Sequence, residues 1–218
     1  MKKSILIAIM AVFAFNAATA QIFDYDVDDF RDKWQKNITV PASQDAVIDN
    51  LFLAWGKAFP NDYVDDFIAY KKTGKSKFTI DYAPKNGFVE LAHTHSFTSE
   101  FDGNFKKGEV VTREHIIQAV YWNLPNGNKL LGISLYADGE VMANCAVFFY
   151  EYNASKGTLV PRADIVKNVM TIVGDDTEIF VKLPKTGRDL KYNDFRPKPT
   201  RLSSGTATVF KLKTNYQL

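Results

Sequence analysis

From Phe78 onward the chain alternates strand-like runs with tight-turn residues, and that punctuation constrains the fold more than any other feature. Phe78–Tyr82 and Phe88–Phe97 flank Ala83-Pro84-Lys85-Asn86-Gly87, while Ile116–Trp122 and Leu130–Tyr136 flank Pro125-Asn126-Gly127-Asn128. Ala146–Tyr152 and Thr158–Val160 flank Asn153-Ala154-Ser155-Lys156-Gly157, while Ile179–Leu183 and Leu190–Tyr192 flank Pro184-Lys185-Thr186-Gly187. Thr206–Leu212 supplies a last strand, and Asp164–Thr171 reads as a short helix between hairpins. Asn-Gly steps supply the positive φ angles of hairpin turns. Parallel strands need a crossover far longer than any of these loops, so the strands form an antiparallel meander.

The preceding part of the chain has helical spacing instead. Phe23, Val27, Phe30 and Trp34 fall on one helical face, with acidic residues at its start and Pro41 to break it off. Val47, Ile48, Leu51, Phe52 and Trp55 make a broad apolar stripe that Ser43 is placed to cap. A third helix begins at the cap residue Asn61 and carries Tyr63, Val64, Phe67 and Ile68 on one face. Lys71 and Lys72 close it, and Gly74 is its C-terminal stop.

Helices with one apolar face each need a sheet to cover. The expected fold class is therefore α+β, with N-terminal helices packed on one antiparallel, curved meander sheet. A single domain is expected over residues 21–218, helical over 24–72 and strand-rich over 77–214. A lipocalin-like barrel with a helical N-terminus is the alternative architecture. A curved sheet with helices on its concave side leaves a pocket, an arrangement similar to cystatin-like or NTF2-like folds.

Residues 1–20 have the logic of a secretory signal peptide: Lys2 and Lys3, an apolar run from Ile5 to Phe15, then Ala18-Thr19-Ala20. The apolar run is too short to span a bilayer comfortably. The expectation is export, with cleavage after Ala20, a periplasmic or extracellular location and no membrane span in the mature form. Removing Lys2 and Lys3 from the 27 basic residues leaves 25, matching the 25 acidic ones. A neutral chain has no overall field to draw it to nucleic acid, which excludes that class of partner.

Charge is nevertheless unevenly distributed. Residues 181–218 hold nine Lys or Arg against Asp189 and Asp194, while residues 21–70 hold ten Asp against four basic residues. The basic tract, with Lys182, Lys185 and Arg188 at its head, suits an acidic ligand. Phe148, Tyr150 and Tyr152 share one face of a strand and could grip a sugar ring or a peptide, or could equally be core. Cys145 is the only cysteine and lies in an apolar run, where a thiol behaves as a small hydrophobe.

One constellation suits a metal. His93 and His95 project from the same strand face, and His115 precedes a strand that could lie beside them. Three neutral imidazoles with one open position would hold a hydrolytic zinc, and Glu90 and Glu114 lie nearby in sequence. Phosphate-cradling glycine loops, the G-x-S-x-G elbow and the H-E-x-x-H helix are all missing from the sequence.

The leading expectation is therefore a secreted or periplasmic non-enzymatic binding module for a glycan, peptide or protein partner. Its ligand-binding residues would be Tyr150, Tyr152, Lys182, Lys185 and Arg188, with no cofactor. The alternative is a metal-dependent hydrolase using zinc at His93, His95 and His115. A third reading is a secreted inhibitor or structural surface protein.

Overall fold

Each turn signal sits between two paired strands. The computed structural model describes residues 33–41, 45–98, 100, 106–138, 146–173, 179–194 and 208–211. Six strands follow one another as a meander: β2 (Thr79–Ala83), β3 (Phe88–Thr98), β4 (Val110–Asn123), β5 (Lys129–Asp138), β6 (Ala146–Asn153) and β7 (Thr158–Pro161). The short strand β1 (Ile38–Thr39) pairs with β7 and completes a seven-stranded antiparallel sheet in the order β1-β7-β6-β5-β4-β3-β2. Its edge strands β1 and β2 do not meet, so the sheet is open and the barrel alternative is excluded.

Two helices cover one face of this sheet. Helix α1 (Ile48–Ala58) buries Ile48, Leu51, Phe52 and Trp55 completely, each worth about 1.5–3 kcal/mol relative to exposure. Helix α2 (Asp62–Thr73) crosses it closely at Gly56, where a Cβ would collide with the Val64 side chain. Asn61 caps α2 by accepting the Val64 N–H at 3.0 Å, and Gly74 ends it in the left-handed region at φ 70°. The nearly buried Asp66 accepts the Lys77 N–H at 2.9 Å and the Ser76 hydroxyl, which ties down the turn leaving the helix. Against the helices lie Val89, Leu91, Ile117, Ala119, Leu131, Ile133, Phe148, Tyr150 and Leu159, alternate residues of five strands.

The opposite face is also covered. Helix α3 (Ala163–Val173) and a second, three-stranded antiparallel sheet lie on it; its strands are β8 (Ile179–Lys182), β9 (Asp189–Asp194) and β10 (Thr208–Lys211), in the order β10-β9-β8. Phe88, Val120, Trp122, Leu130, Val147 and Phe149 pack there against Ile165, Val169, Val181, Leu183 and Leu190. The architecture is therefore α+β, with the large sheet packed on both faces except toward the ends of β3 and β4 at Thr98 and Val110.

Three local expectations need correction. The stretch before Pro41 contains β1, because Ile38 and Thr39 pair with Leu159 and Thr158 where a helix was expected. The N-cap of α1 is Val47, extended at φ −102° and without a side-chain cap; standing outside the helix, it is 40 % exposed instead of joining the stripe. The strand-rich part forms two sheets, where one was expected. The signal-like segment 1–20, Phe23, Val27, Phe30, Ser43 and Cys145 lie outside the described residues. Among the described residues no helix is long and apolar enough to cross a membrane.

Candidate functional site

Three segments converge at one end of the large sheet: the Pro84–Gly87 turn between β2 and β3, the last residues of β4, and the 184–188 loop between β8 and β9. They line an open recess of about 240 Å³. Lys185 and Arg188, two cations of the basic tract, line it from the loop, and Asn86, Tyr121, Trp122 and Asn123 line it from the large sheet.

The wall on the sheet side is rigid. Gly87 takes φ 66° and presses against the Tyr121 ring so closely that a Cβ would sit 2.7 Å from it. Gly87 O also accepts the Tyr121 N–H at 2.9 Å, fixing the turn to β4. The Lys129 ammonium lies 4.0 Å from the Tyr121 ring centroid, a cation–π contact. Trp122 is buried against Phe149, with ring centroids 6.4 Å apart.

The loop side is held by the sheet. Trp122 Nε1 donates to Gly187 O at 2.8 Å, and Arg188 Nη2 donates to Asn123 O at 3.3 Å. Just before the loop, Leu183 N donates to Gln118 Oε1 at 2.8 Å, and Ser134 donates its hydroxyl to Val181 O. These two buried polar side chains occupy the outer edge of β8 and dock the hairpin on the large sheet.

Lys185 Nζ contacts both oxygens of Asp81 at 2.7 and 2.8 Å, and both side chains are about half exposed, 48 % and 46 %. Exposed Lys182 lies on the same hairpin, directly opposite exposed Lys191 in the β8–β9 register. Neither has an ion-pair partner among the described residues.

The expected site residues therefore divide. The fold brings Lys185 and Arg188 to one cavity and keeps Lys182 on the hairpin that supports it. Phe148, Tyr150 and Tyr152 do share a face, but it is the face beneath the helices. Tyr150 is completely buried and its hydroxyl donates to Trp34 O at 2.9 Å, so it is a core residue with no surface for a ligand. Burial pushes its phenol pKa up. Tyr152 is half-buried against the same core and is not part of the cavity wall. Asn86 and Asn123 carried no signal beyond turn and strand-end chemistry, since the cavity they line is made by a distant hairpin.

The histidines are partly gathered. His93 and His115 are direct partners across β3 and β4, while His95 is paired with Arg113. Phe78 meets the His93 ring edge-on at 5.3 Å. Among the described residues, no group of three His, Cys, Asp or Glu is placed to hold a metal ion. No family model, curated protein or solved structure matches the chain.

Proposed function

We propose that the protein is an exported, non-enzymatic binding module that takes an acidic partner at the cavity between β4 and the 184–188 loop. The observation that carries this reading is the recess itself, of about 240 Å³, lined by Lys185 and Arg188 of the basic tract together with Asn86, Asn123 and Thr186. Pre-formed recesses with a few convergent polar groups are the usual form of ligand sites. Export is supported by the charge, apolar core and small-residue pattern of residues 1–20.

Binding of this kind is electrostatic at its rim and weakens with salt. The test is retention of the protein on immobilised polyglutamate, polygalacturonate and a sulfated polysaccharide, eluted with a salt gradient. The expected result is retention on at least one polyanion, abolished by joint Lys182→Glu, Lys185→Glu and Arg188→Glu replacement. Retention on none, or retention that the triple replacement leaves unaltered, overturns the reading.

A further inference from the structure

We infer that a second copy of this chain pairs with the open edge of β3 over Thr94–Thr98, joining two seven-stranded sheets about a twofold axis at Ser96.

Strand length leaves that edge open. Strand β2 covers β3 only from Phe88 to Ala92, and the turn held by Asp66 takes the chain before it back to α2. Beyond Ala92, β3 continues to Thr98, paired on its other side with β4 in unbroken register from Phe88↔Val120 to Thr98↔Val110. Thr94, Ser96 and Thr98 are exposed, and among the described residues no strand lies beside them on the β2 side. Such an edge presents a row of backbone donors and acceptors that another strand can use.

Native sheets protect their edges with charged residues, proline, bulges or short strands. The rest of this sheet does so: β1 has two residues, and β2 carries Asp81 at its centre and is followed by Pro84. The segment Thr94-His95-Ser96-Phe97-Thr98 has none of these devices.

The occupant follows from the sequence of the segment. Paired antiparallel with itself about Ser96, it sets Thr94 opposite Thr98, His95 opposite Phe97, and Ser96 opposite its own copy. Hydroxyl pairs and ring pairs are favourable cross-strand combinations, and no like charges meet. The length fits as well. The second β3 runs in line with β2 and in the same direction, and its last residue, Thr98, stops opposite Thr94. That is one position short of His93, beside which Phe78 lies.

Charge completes the match. Glu100 of the second copy, two residues past its strand, reaches the chain entering β2, where Lys77 precedes Phe78. Both side chains are exposed, and neither has an ion-pair partner among the described residues. Twofold symmetry makes this contact twice. The 184–188 loop lies at the other end of β4, beside Asn123, so pairing leaves both recesses open.

The test is sedimentation equilibrium of the purified protein over a concentration series, with hydrogen exchange followed at low and high concentration. A dimer is expected, with amides of residues 94–98 gaining protection as concentration rises. Ser96→Lys sets two ammonium groups at the axis and should weaken the dimer by about tenfold or more. Lys77→Glu should weaken it by about tenfold, and Lys77→Glu with Glu100→Lys should restore it. Ser96→Cys should give a disulfide-linked dimer on mild oxidation, because opposed Cα atoms fall within the disulfide range of about 4.4–6.8 Å. Thr112→Cys loses the same Ser96–Thr112 hydroxyl contact but should not cross-link, since three strand spacings of about 4.8 Å separate its two copies. The wild type, whose sole thiol is Cys145, is the control. Near-ultraviolet circular dichroism verifies that each variant is folded.

A protein that is monomeric at every concentration overturns the inference and leaves the edge to a strand of a different protein. A dimer that Ser96→Lys leaves intact also overturns it, as does equal cross-linking by Thr112→Cys, because the contact then lies elsewhere.

Discussion

The side-chain oxygen of Gln118 on β4 accepts the backbone N–H of Leu183, 65 residues away, at 2.8 Å. Gln118 is completely buried, and its amide nitrogen donates to Glu90 on β3, so both ends of the side chain are satisfied. A polar residue in the middle of a buried strand face thus serves as the joint between the two sheets. Replacing it with Ala would strand the Leu183 N–H in a dry interface, at a cost of about 1–3 kcal/mol. Gln118→Ala should lower the denaturant midpoint accordingly and accelerate hydrogen exchange at the Leu183 amide. Because the 184–188 loop starts one residue later, anionic-ligand affinity should fall with it. Unchanged exchange at Leu183 would count against the joint.

Tyr82 on the edge strand β2 links both covering helices. Its hydroxyl donates to Asp49 Oδ1 of α1 at 2.6 Å and accepts from Lys71 Nζ of α2 at 2.9 Å, while Lys71 also reaches Asp49 Oδ2 at 2.8 Å. The phenol pKa is raised, first by burial and then by the hydrogen bond to the Asp49 carboxylate, with Lys71 opposing. Tyr82→Phe keeps the ring over which Lys71 lies and removes only the hydroxyl. The expected loss is about 0.5–1.5 kcal/mol, at the lower end because the cluster is partly solvated. In an alkaline ultraviolet titration, Asp49→Asn should move the Tyr82 phase, assigned by its loss in Tyr82→Phe, to lower pH. No movement of that phase would exclude the Asp49 contact as a cause.

Much of this arrangement was legible in the sequence, and the parts that were not have a common cause. The stripe Ile48, Leu51, Phe52 and Trp55, the Asn61 cap and the Gly74 stop are local features, and each appears where its spacing put it. The hairpins at Asn126-Gly127 and Asn153–Gly157 likewise follow from turn chemistry. What local pattern could not reveal is that the large sheet is covered twice. Alternation in Ala146–Asn153 separates Phe148, Tyr150 and Tyr152 from Val147, Phe149 and Glu151, yet both sets are packed. A one-sided sheet would have left one of them exposed. Gln118 and Ser134 lie on the second of these faces, where the edge of β8 consumes their polar groups. The cavity inherits that blindness, since it exists only because the β8–β9 hairpin lies against β4.

The buried carboxylate of Glu151 predicts how the fold responds to acid. Its Oε1 accepts from Asn128 at 2.7 Å and from Asn126 at 3.1 Å, and its Oε2 accepts from Arg162 Nη1 at 2.6 Å. Burial alone would raise its pKa, but the hydrogen bonds from Asn128, Asn126 and Arg162 together outweigh burial and lower it. Asp164, held by Arg162 at 2.7 Å, is lowered as well, chiefly by that hydrogen bond and against its own desolvation. Both carboxylates bind a proton more readily in the unfolded chain, where they titrate near pH 4. Their contribution is therefore complete above that range and is lost as pH falls through the lower folded-state values. Stability should be flat with respect to these groups from pH 5 to 7 and decline below about pH 4. Glu151→Gln keeps the shape of the side chain and leaves Arg162 paired with Asp164, so the variant should fold. It should lose about 1–3 kcal/mol at neutral pH and show a shallower acid decline, because one of the two linked protons has been removed. Denaturation midpoints from pH 3 to 7 for both proteins measure this directly. Parallel curves would mean that Glu151 has the same proton affinity folded and unfolded, and that the Asn126, Asn128 and Arg162 contacts only offset its burial.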